Sequence, residues 1–162
     1  MKPTNLLTVM SLLAVSAIML QGCGGSPENN AGAVGDIPPK KLVLPRAKMA
    51  ADARIFVIEP ANGAVVKSPV KVVFGAENAD TTVANIFRPN SGHHHLILDA
   101  PLPELSQPVP SDENHYHYDQ GETEATLELP PGTHTLQLLL ADGNHVPHDP
   151  ALVSEIVTIT VE

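Results

Sequence analysis

The chain has 162 residues, enough for one domain of ordinary size, so any function must fit on a single small scaffold. Its 9 basic and 18 acidic residues give a net charge of −9, which repels polyanions and argues against nucleic acid as a partner. The single Cys excludes a disulfide framework, an iron–sulfur site and a cysteine-based zinc site.

The N-terminus has the pattern of a lipoprotein signal peptide over residues 1–22, because Lys2 precedes an apolar stretch. That stretch is too short for a transmembrane span, which needs about 20 apolar residues. The residues Leu-Gln-Gly before Cys23 resemble a bacterial lipobox, in which the Cys is lipidated, and Gly24 favours the outer membrane. We therefore expect a protein of the bacterial cell envelope, held by an N-terminal lipid at the outer membrane and facing the periplasm. The alternative is a plain secreted protein.

Residues 23–52 are rich in Gly, Pro, Asn and Ala and show no helical or strand periodicity, which predicts a flexible tether. The tether either allows the domain to extend away from the membrane or is a leader without a specific role. The folded domain is predicted to span residues 53–162.

The predicted domain is all-β, an immunoglobulin-like antiparallel β-sandwich of about seven strands. Hydrophobic residues make up 43% of the chain and aromatic residues 3%, so the core must be aliphatic. Short apolar runs, often alternating, are separated by turn residues about every 8 to 12 positions. The predicted strands are residues 54–59, 70–76, 82–88, 93–99, 123–129, 133–141 and 154–161.

All eight histidines lie between His93 and His148. Because successive strand residues point to opposite faces, His93 and His95 share one face, and His94 lies on the other with the leucines that follow it. A His-x-His pair of this kind lets two imidazoles reach one ion from a single strand. His94 is therefore expected to be a buried, hydrogen-bonded group or a support for metal ligands.

Two further histidine pairs follow along the chain. His115 and His117 repeat the His-x-His spacing, and His145 and His148 lie in the predicted loop between the last two strands. Without soft sulfur ligands, clustered imidazoles favour copper(II) or zinc. The candidate metal ligands are His93, His95, His115, His117, His145 and His148. The alternative is that these histidines are hydrogen-bonding or pH-sensitive residues with adventitious metal affinity only.

Other polar residues are given structural interpretations. His134 follows a turn at the place where sandwich domains carry a corner aromatic residue, so it is expected to pin the chain. Asp112, Glu113 and Asp119 do not follow a calcium-loop spacing and indicate a solvated acidic loop.

Catalytic motifs are not found: there is no phosphate-binding Gly loop, no His-Glu-x-x-His helix and no Gly-x-Ser-x-Gly elbow. The favoured function is a non-catalytic, metal-binding lipoprotein for buffering, delivery or resistance. One alternative is an envelope structural or interaction module with structural histidines. Another is a copper redox enzyme of the superoxide-dismutase type, which would share only His-x-His on a β-strand. No protein partner is identified.

Several motifs together resemble a bacterial family of short secreted histidine-rich domains of unknown function. They are Gly92-His93-His94-His95-Leu96, His115-Tyr116-His117, Leu129-Pro130-Pro131-Gly132-Thr133-His134-Thr135-Leu136 and Pro147-His148. The resemblance covers about residues 55–161 and implies no mechanism, since the family is uncharacterised. This chain has Glu122 where the family more often has Gln.

Overall fold

The computed structural model describes residues 45–162. The predicted signal peptide, Cys23 and the tether up to residue 44 lie outside the described residues. Within residues 45–162, the chain forms no helix with the length and apolar character needed to cross a bilayer.

The described part of the chain contains ten β-strands joined by loops and turns. They are β1 (Arg54–Glu59), β2 (Val65–Val66), β3 (Val70–Glu77), β4 (Asp80–Thr81), β5 (Ser91–Leu98), β6 (His115–His117), β7 (Glu124–Leu127), β8 (Gly132–Ala141), β9 (Pro147–Val153) and β10 (Val157–Val161). One sheet has the order β1-β3-β7. The other has the order β2-β10-β8-β5-β4, with β6 also paired to β5 and β9 to β8.

The prediction of an all-β domain with two sheets is confirmed. The number of strands exceeds the predicted seven, because short strands such as β2 and β4 add to the sheet edges. These two strands pair in parallel, β2 with β10 and β4 with β5, so the fold is not wholly antiparallel. The immunoglobulin-like topology stays a prediction.

The main core lies between the two sheets and is almost entirely aliphatic. Alternate residues of β3 and β8 contribute to it, as the period-2 pattern requires. Each fully buried aliphatic side chain contributes about 1.5–3 kcal/mol of burial free energy. The buried members include Val70, Val72, Phe74, Leu96, Leu98, Leu136, Leu138 and Leu140. Met49 also packs against this core, so the packed chain extends upstream of residue 53.

The predicted strand at residues 82–88 is wrong, because this segment forms a loop. Its apolar residues do not alternate strictly, and Asn85 adopts a positive φ of 64° that no regular strand contains. The backbone bonds to two other loops instead: Ala84 N donates to Asp119 O at 2.8 Å, and Asn85 N donates to Gly143 O at 3.1 Å. The loop is thus hydrogen-bonded to the segment that follows β6 and to the segment that follows β8.

The chain between β8 and β10 also differs from the prediction. A strand, β9, begins at Pro147, so His148 lies in a strand and only His145 lies in the loop before it. The last strand begins at Val157 and not at residue 154.

Strand β5 is buried along its whole length, on both faces. One face enters the main core. The other face, which carries His93, His95 and Ile97, adjoins a smaller cluster in which Ile97 packs with Val109 of the Pro-rich connection 100–113. This connection therefore covers the face on which the His-x-His pair lies.

Candidate metal centre

Strand pairing brings histidines from separate segments together. In the antiparallel pair of β5 and β6, His95 lies opposite His117. On the other side of β5, His93 lies opposite Ala141 near the end of β8, and the loop that follows carries His145. The imidazoles of four histidines consequently meet at one end of the sheet.

Three ring nitrogens converge without any intervening group. His93 Nε2 lies 3.0 Å from His95 Nε2 and 3.0 Å from His145 Nδ1. A single ion with metal–nitrogen bonds of about 2.0–2.1 Å and tetrahedral angles places its ligands about 3.3 Å apart. Two of the three separations are thus close to the spacing that one bound transition metal requires, and all three residues offer ligand atoms within 4.8 Å of one another.

A second group of possible ligands overlaps the first. His117, Asp119 and His145 each offer an atom, and these atoms lie within 4.8 Å of one another. His117 Nε2 lies 2.7 Å from Pro110 O; a proton donated there leaves Nδ1 with the free lone pair. Asp119 Oδ1 lies 3.7 Å from His93 Nε2 and 3.8 Å from His145 Nδ1. Because both groups share His145, four imidazoles and one carboxylate surround the same region.

Burial keeps the inner imidazoles neutral. Loss of solvent, followed by the neighbouring His145, lowers the pKa of His93 to about 4, although Asp119 opposes this change. Loss of solvent, followed by the nearby histidines, lowers the pKa of His95 to about 2. Both rings are therefore uncharged at neutral pH, with a lone pair free to bind a metal.

The hydrogen bonding within the cluster is incomplete. His93 Nε2 carries either one proton or one lone pair, so it cannot form good hydrogen bonds to both of its neighbouring nitrogens. His93 Nδ1, His95 Nδ1 and Asp119 Oδ1 are buried and have no hydrogen-bond partner among the described residues. A cation that accepts the nitrogen lone pairs would resolve the crowding, so the residues present fit a metal ion.

The loop that carries His145 is held by Asp142. The buried Asp142 carboxylate accepts hydrogen bonds from the backbone N–H groups of Asn144 at 2.8 Å and Val146 at 3.1 Å. The backbone carbonyl oxygen of Asp142 accepts a further hydrogen bond from His145 N at 2.9 Å. These bonds fix His145 at a φ of 62°, a left-handed conformation that costs a non-glycine residue about 1–2 kcal/mol. The orientation of His145 is therefore set by this loop and not by strand alternation.

The structure does not bring His115 and His148 to the cluster. His115 shares the face of His117 but lies opposite Ile97, and its Nδ1 is 2.7 Å from Asp112 Oδ1. His148 is fully buried in β9, with Nδ1 3.2 Å from Leu140 O and Nε2 3.1 Å from Ser91 O. Both of its nitrogens face backbone carbonyls, so His148 joins β9 to β8 and β5.

The remaining two histidines lie outside the cluster. His94 is buried in the main core, with its ring centroid 5.2 Å from that of Phe74. His134 Nδ1 is 2.6 Å from Asp99 Oδ2, and its Nε2 is 2.9 Å from Pro130 O. His134 thus connects the end of β5 to the turn before β8, which is the structural role expected of it.

The contact between His134 and Asp99 predicts a pH-dependent contribution to stability. The hydrogen bond to Asp99, followed by that to Pro130 O, raises the pKa of His134 above its usual value. A His with a raised pKa stabilises the fold fully below the unfolded value of about 6.5, and the contribution is lost as pH rises through the folded pKa. Urea unfolding should therefore show His134→Ala to be more destabilising at pH 5.5 than at pH 8.5, by about 0.5–1 kcal/mol for this partly exposed pair. A difference that is independent of pH, or larger at pH 8.5, would contradict this expectation.

Asp119 is the residue that the sequence interpretation missed as a possible ligand. The sequence does contain a pattern that points to Asp119: it is two positions after His117 and so continues the alternation of His115 and His117. An isolated carboxylate in an acidic loop does not indicate a metal site until the strand pairing is known.

The comparison with known proteins identifies a family but no characterised relative. No curated protein and no solved structure is significantly similar to the chain. The family model described as Domain of unknown function (DUF4399) matches residues 72–162, which include all eight histidines. This match confirms the resemblance to a family without an assigned function. Since the match covers more than half of the chain, the protein belongs to the DUF4399 family.

Proposed function

We propose that this protein is a periplasm-facing lipoprotein that binds copper(II) or zinc for buffering, delivery or resistance. The observation that carries the proposal is the convergence of His93 Nε2, His95 Nε2 and His145 Nδ1. These three nitrogens are the proposed first ligands. His117 and Asp119 complete the coordination.

The choice of metal follows from the ligand types. Imidazole nitrogens with one carboxylate oxygen suit zinc, which takes four ligands, and copper(II), which takes four or five. No thiol or thioether belongs to the cluster, so the soft ligands that select copper(I) are missing from it. We propose a non-catalytic role because no catalytic motif accompanies the imidazoles.

The arrangement of burial supports exchange of the ion. His93 and His95 are fully buried, whereas His117, Asp119 and His145 are partly exposed. We infer that an ion reaches the buried pair from the side of the partly exposed residues. A buffering or delivery protein needs such access, because its ion must also leave.

The test is the metal content of the untagged protein isolated from its native envelope. We expect close to one copper or zinc ion per chain, measured by mass spectrometry. A metal-free protein that also fails to bind either ion in a titration would overturn the proposal. Turnover of superoxide by the copper-loaded protein would instead identify a redox enzyme.

We also propose that lipidation at Cys23 holds the protein at the outer membrane. The support is the lipobox-like sequence before Cys23 and Gly24 after it. Cys23→Ser should therefore move the protein from the detergent phase to the soluble or precursor pool, because the lipid is attached through the thiol. Detergent partitioning that is unchanged by the substitution would disprove the lipid anchor without affecting the metal proposal.

A further inference from the structure

Apolar and basic side chains lie together on the surface where the described chain begins. Phe87 is 63% exposed and Ile86 is 42% exposed, both in the loop before β5. With the exposed Lys48 and Arg88 they line one shallow cavity, to which Ala47 also contributes. We call Lys48, Ile86, Phe87 and Arg88 the basic-apolar patch.

The apolar side chains of the patch are held in place by the fold. A Cβ atom at Gly143 would lie 2.8 Å from the Phe87 ring, so this ring rests directly on the glycine backbone. The adjacent Asn85 N donates to Gly143 O at 3.1 Å. Adjacent large apolar side chains presented to solvent from a fixed loop are typical of an interaction surface.

The positive charge of the patch is opposite to the net negative charge of the whole protein. Between residues 37 and 51 the sequence has four basic residues and no acidic residue, although the net charge of the chain is −9. Of the described basic residues in this run, Lys48 belongs to the patch, whereas Arg46 is paired with Asp149 at 3.4 Å. The exposed cations Lys48 and Arg88 beside the exposed Ile86 and Phe87 match the boundary between anionic headgroups and acyl chains.

The chain also joins the domain at this surface. Arg46 Nε donates to Pro147 O at 2.9 Å, and Asp149 N donates to Ala47 O at 2.8 Å, which fixes the position of the first described residues. Ala47 and Lys48 then border the patch. The segment that would come from a lipid anchor at Cys23 therefore reaches the domain next to the basic-apolar patch.

We infer that the basic-apolar patch docks on the surface of an anionic phospholipid membrane. Ile86 and Phe87 enter the interface, while Lys48 and Arg88 contact the lipid phosphates. The inference deepens the proposed function by giving the anchored domain an orientation, and it rests on the proposed lipid anchor. It also places the loop of Gly143, two residues before His145, beside the membrane.

The chain contains no Trp, so a single introduced Trp reports on its own surroundings. The reporter variant is Phe87→Trp. The matched control is Phe56→Trp in β1, because Phe56 is 38% exposed, lies outside the patch and also has its ring against a glycine, Gly75. Each variant of the full chain, purified from the membrane fraction, is reconstituted into vesicles of phosphatidylglycerol and phosphatidylethanolamine or of phosphatidylcholine alone.

In the anionic vesicles, we expect the emission of the reporter at position 87 to shift to shorter wavelength and to be quenched by brominated acyl chains. The control at position 56 should show neither change. Adding Lys48→Glu and Arg88→Glu to the reporter variant should abolish the shift, and circular dichroism should show that this variant is folded.

Equal emission from both reporters, or a shift of equal size in both kinds of vesicle, would overturn the inference. A shift that needs no lipid and grows with protein concentration would also overturn it, since it would identify self-association. If the protein is found in the soluble fraction, the anchor proposal fails, and the same variant is added to the vesicles from outside. Lipid-dependent quenching would then still support the patch, and its absence would reject it.

Discussion

Replacing both His93 and His95 with Ala should reduce the affinity for copper(II) or zinc by more than about 100-fold, since even residues that only support ligands contribute 10–100-fold. The reason is geometric: the two Nε2 atoms lie 3.0 Å apart on a fully buried face of β5, and no other described histidine shares that position. Calorimetric titration of the untagged protein measures the change. Retention of the wild-type stoichiometry and affinity by the double variant would show that this assignment is wrong.

Two further variants keep this experiment decisive. His115→Ala is the matched control, because His115 contacts Asp112 and does not belong to the cluster; its binding should equal that of the wild type. His145→Ala removes a ligand from a loop and not from the buried strand, so it should weaken binding with a smaller effect on folding. Thermal unfolding of each variant without metal shows whether the protein is folded before the titration.

Gly92→Ala should cost about 3 kcal/mol of the free energy of unfolding, at the upper end of typical overpacking effects. A Cβ atom at this position would lie 2.4 Å from Ala141 O and 2.9 Å from His148 Cε1. The carbonyl belongs to β8, whose pairing with β5 prevents it from moving away. Urea denaturation measures the loss.

Gly63→Ala is the control for the glycine substitution. Nothing lies within 4 Å of a Cβ atom built at Gly63, whose φ is +81°, so only the backbone conformation is strained. We expect a loss of about 1 kcal/mol there. Equal losses for the two variants would show that the contact between Gly92 and β8 does not limit stability.

Strand alternation made much of the site predictable from the sequence. The period of two places His93 and His95 on one face and His94 in the core, and the structure shows this arrangement. The same alternation relates His115 to His117, but it cannot give the register of β6 against β5. That register places His117 beside His95 and leaves His115 beside Ile97, which separates two residues that look equivalent in the sequence.

Loop conformation accounts for what the sequence did not reveal. His145 and His148 look like one pair in the sequence. In the structure, however, His145 is a left-handed residue in a loop, whereas His148 lies in β9, which begins at Pro147. The segment 82–88 has enough apolar residues for a strand, but its fold depends on hydrogen bonds to Asp119 and Gly143, which are distant in the sequence. Tertiary contacts of this kind override local preference.

The burial of β5 on both faces has a kinetic consequence. A strand that is paired on both sides and covered above and below opens only when the whole domain unfolds, which is slow. The loop of His145 is held by hydrogen bonds to Asp142 and not by strand pairing on both sides, so we expect it to open more readily than β5. We therefore expect a bound ion to leave through movement of the loop of His145, while His93 and His95 stay in place. Because Asp142 sets the orientation of His145, its substitution should both shorten the time for which an ion stays bound and weaken binding.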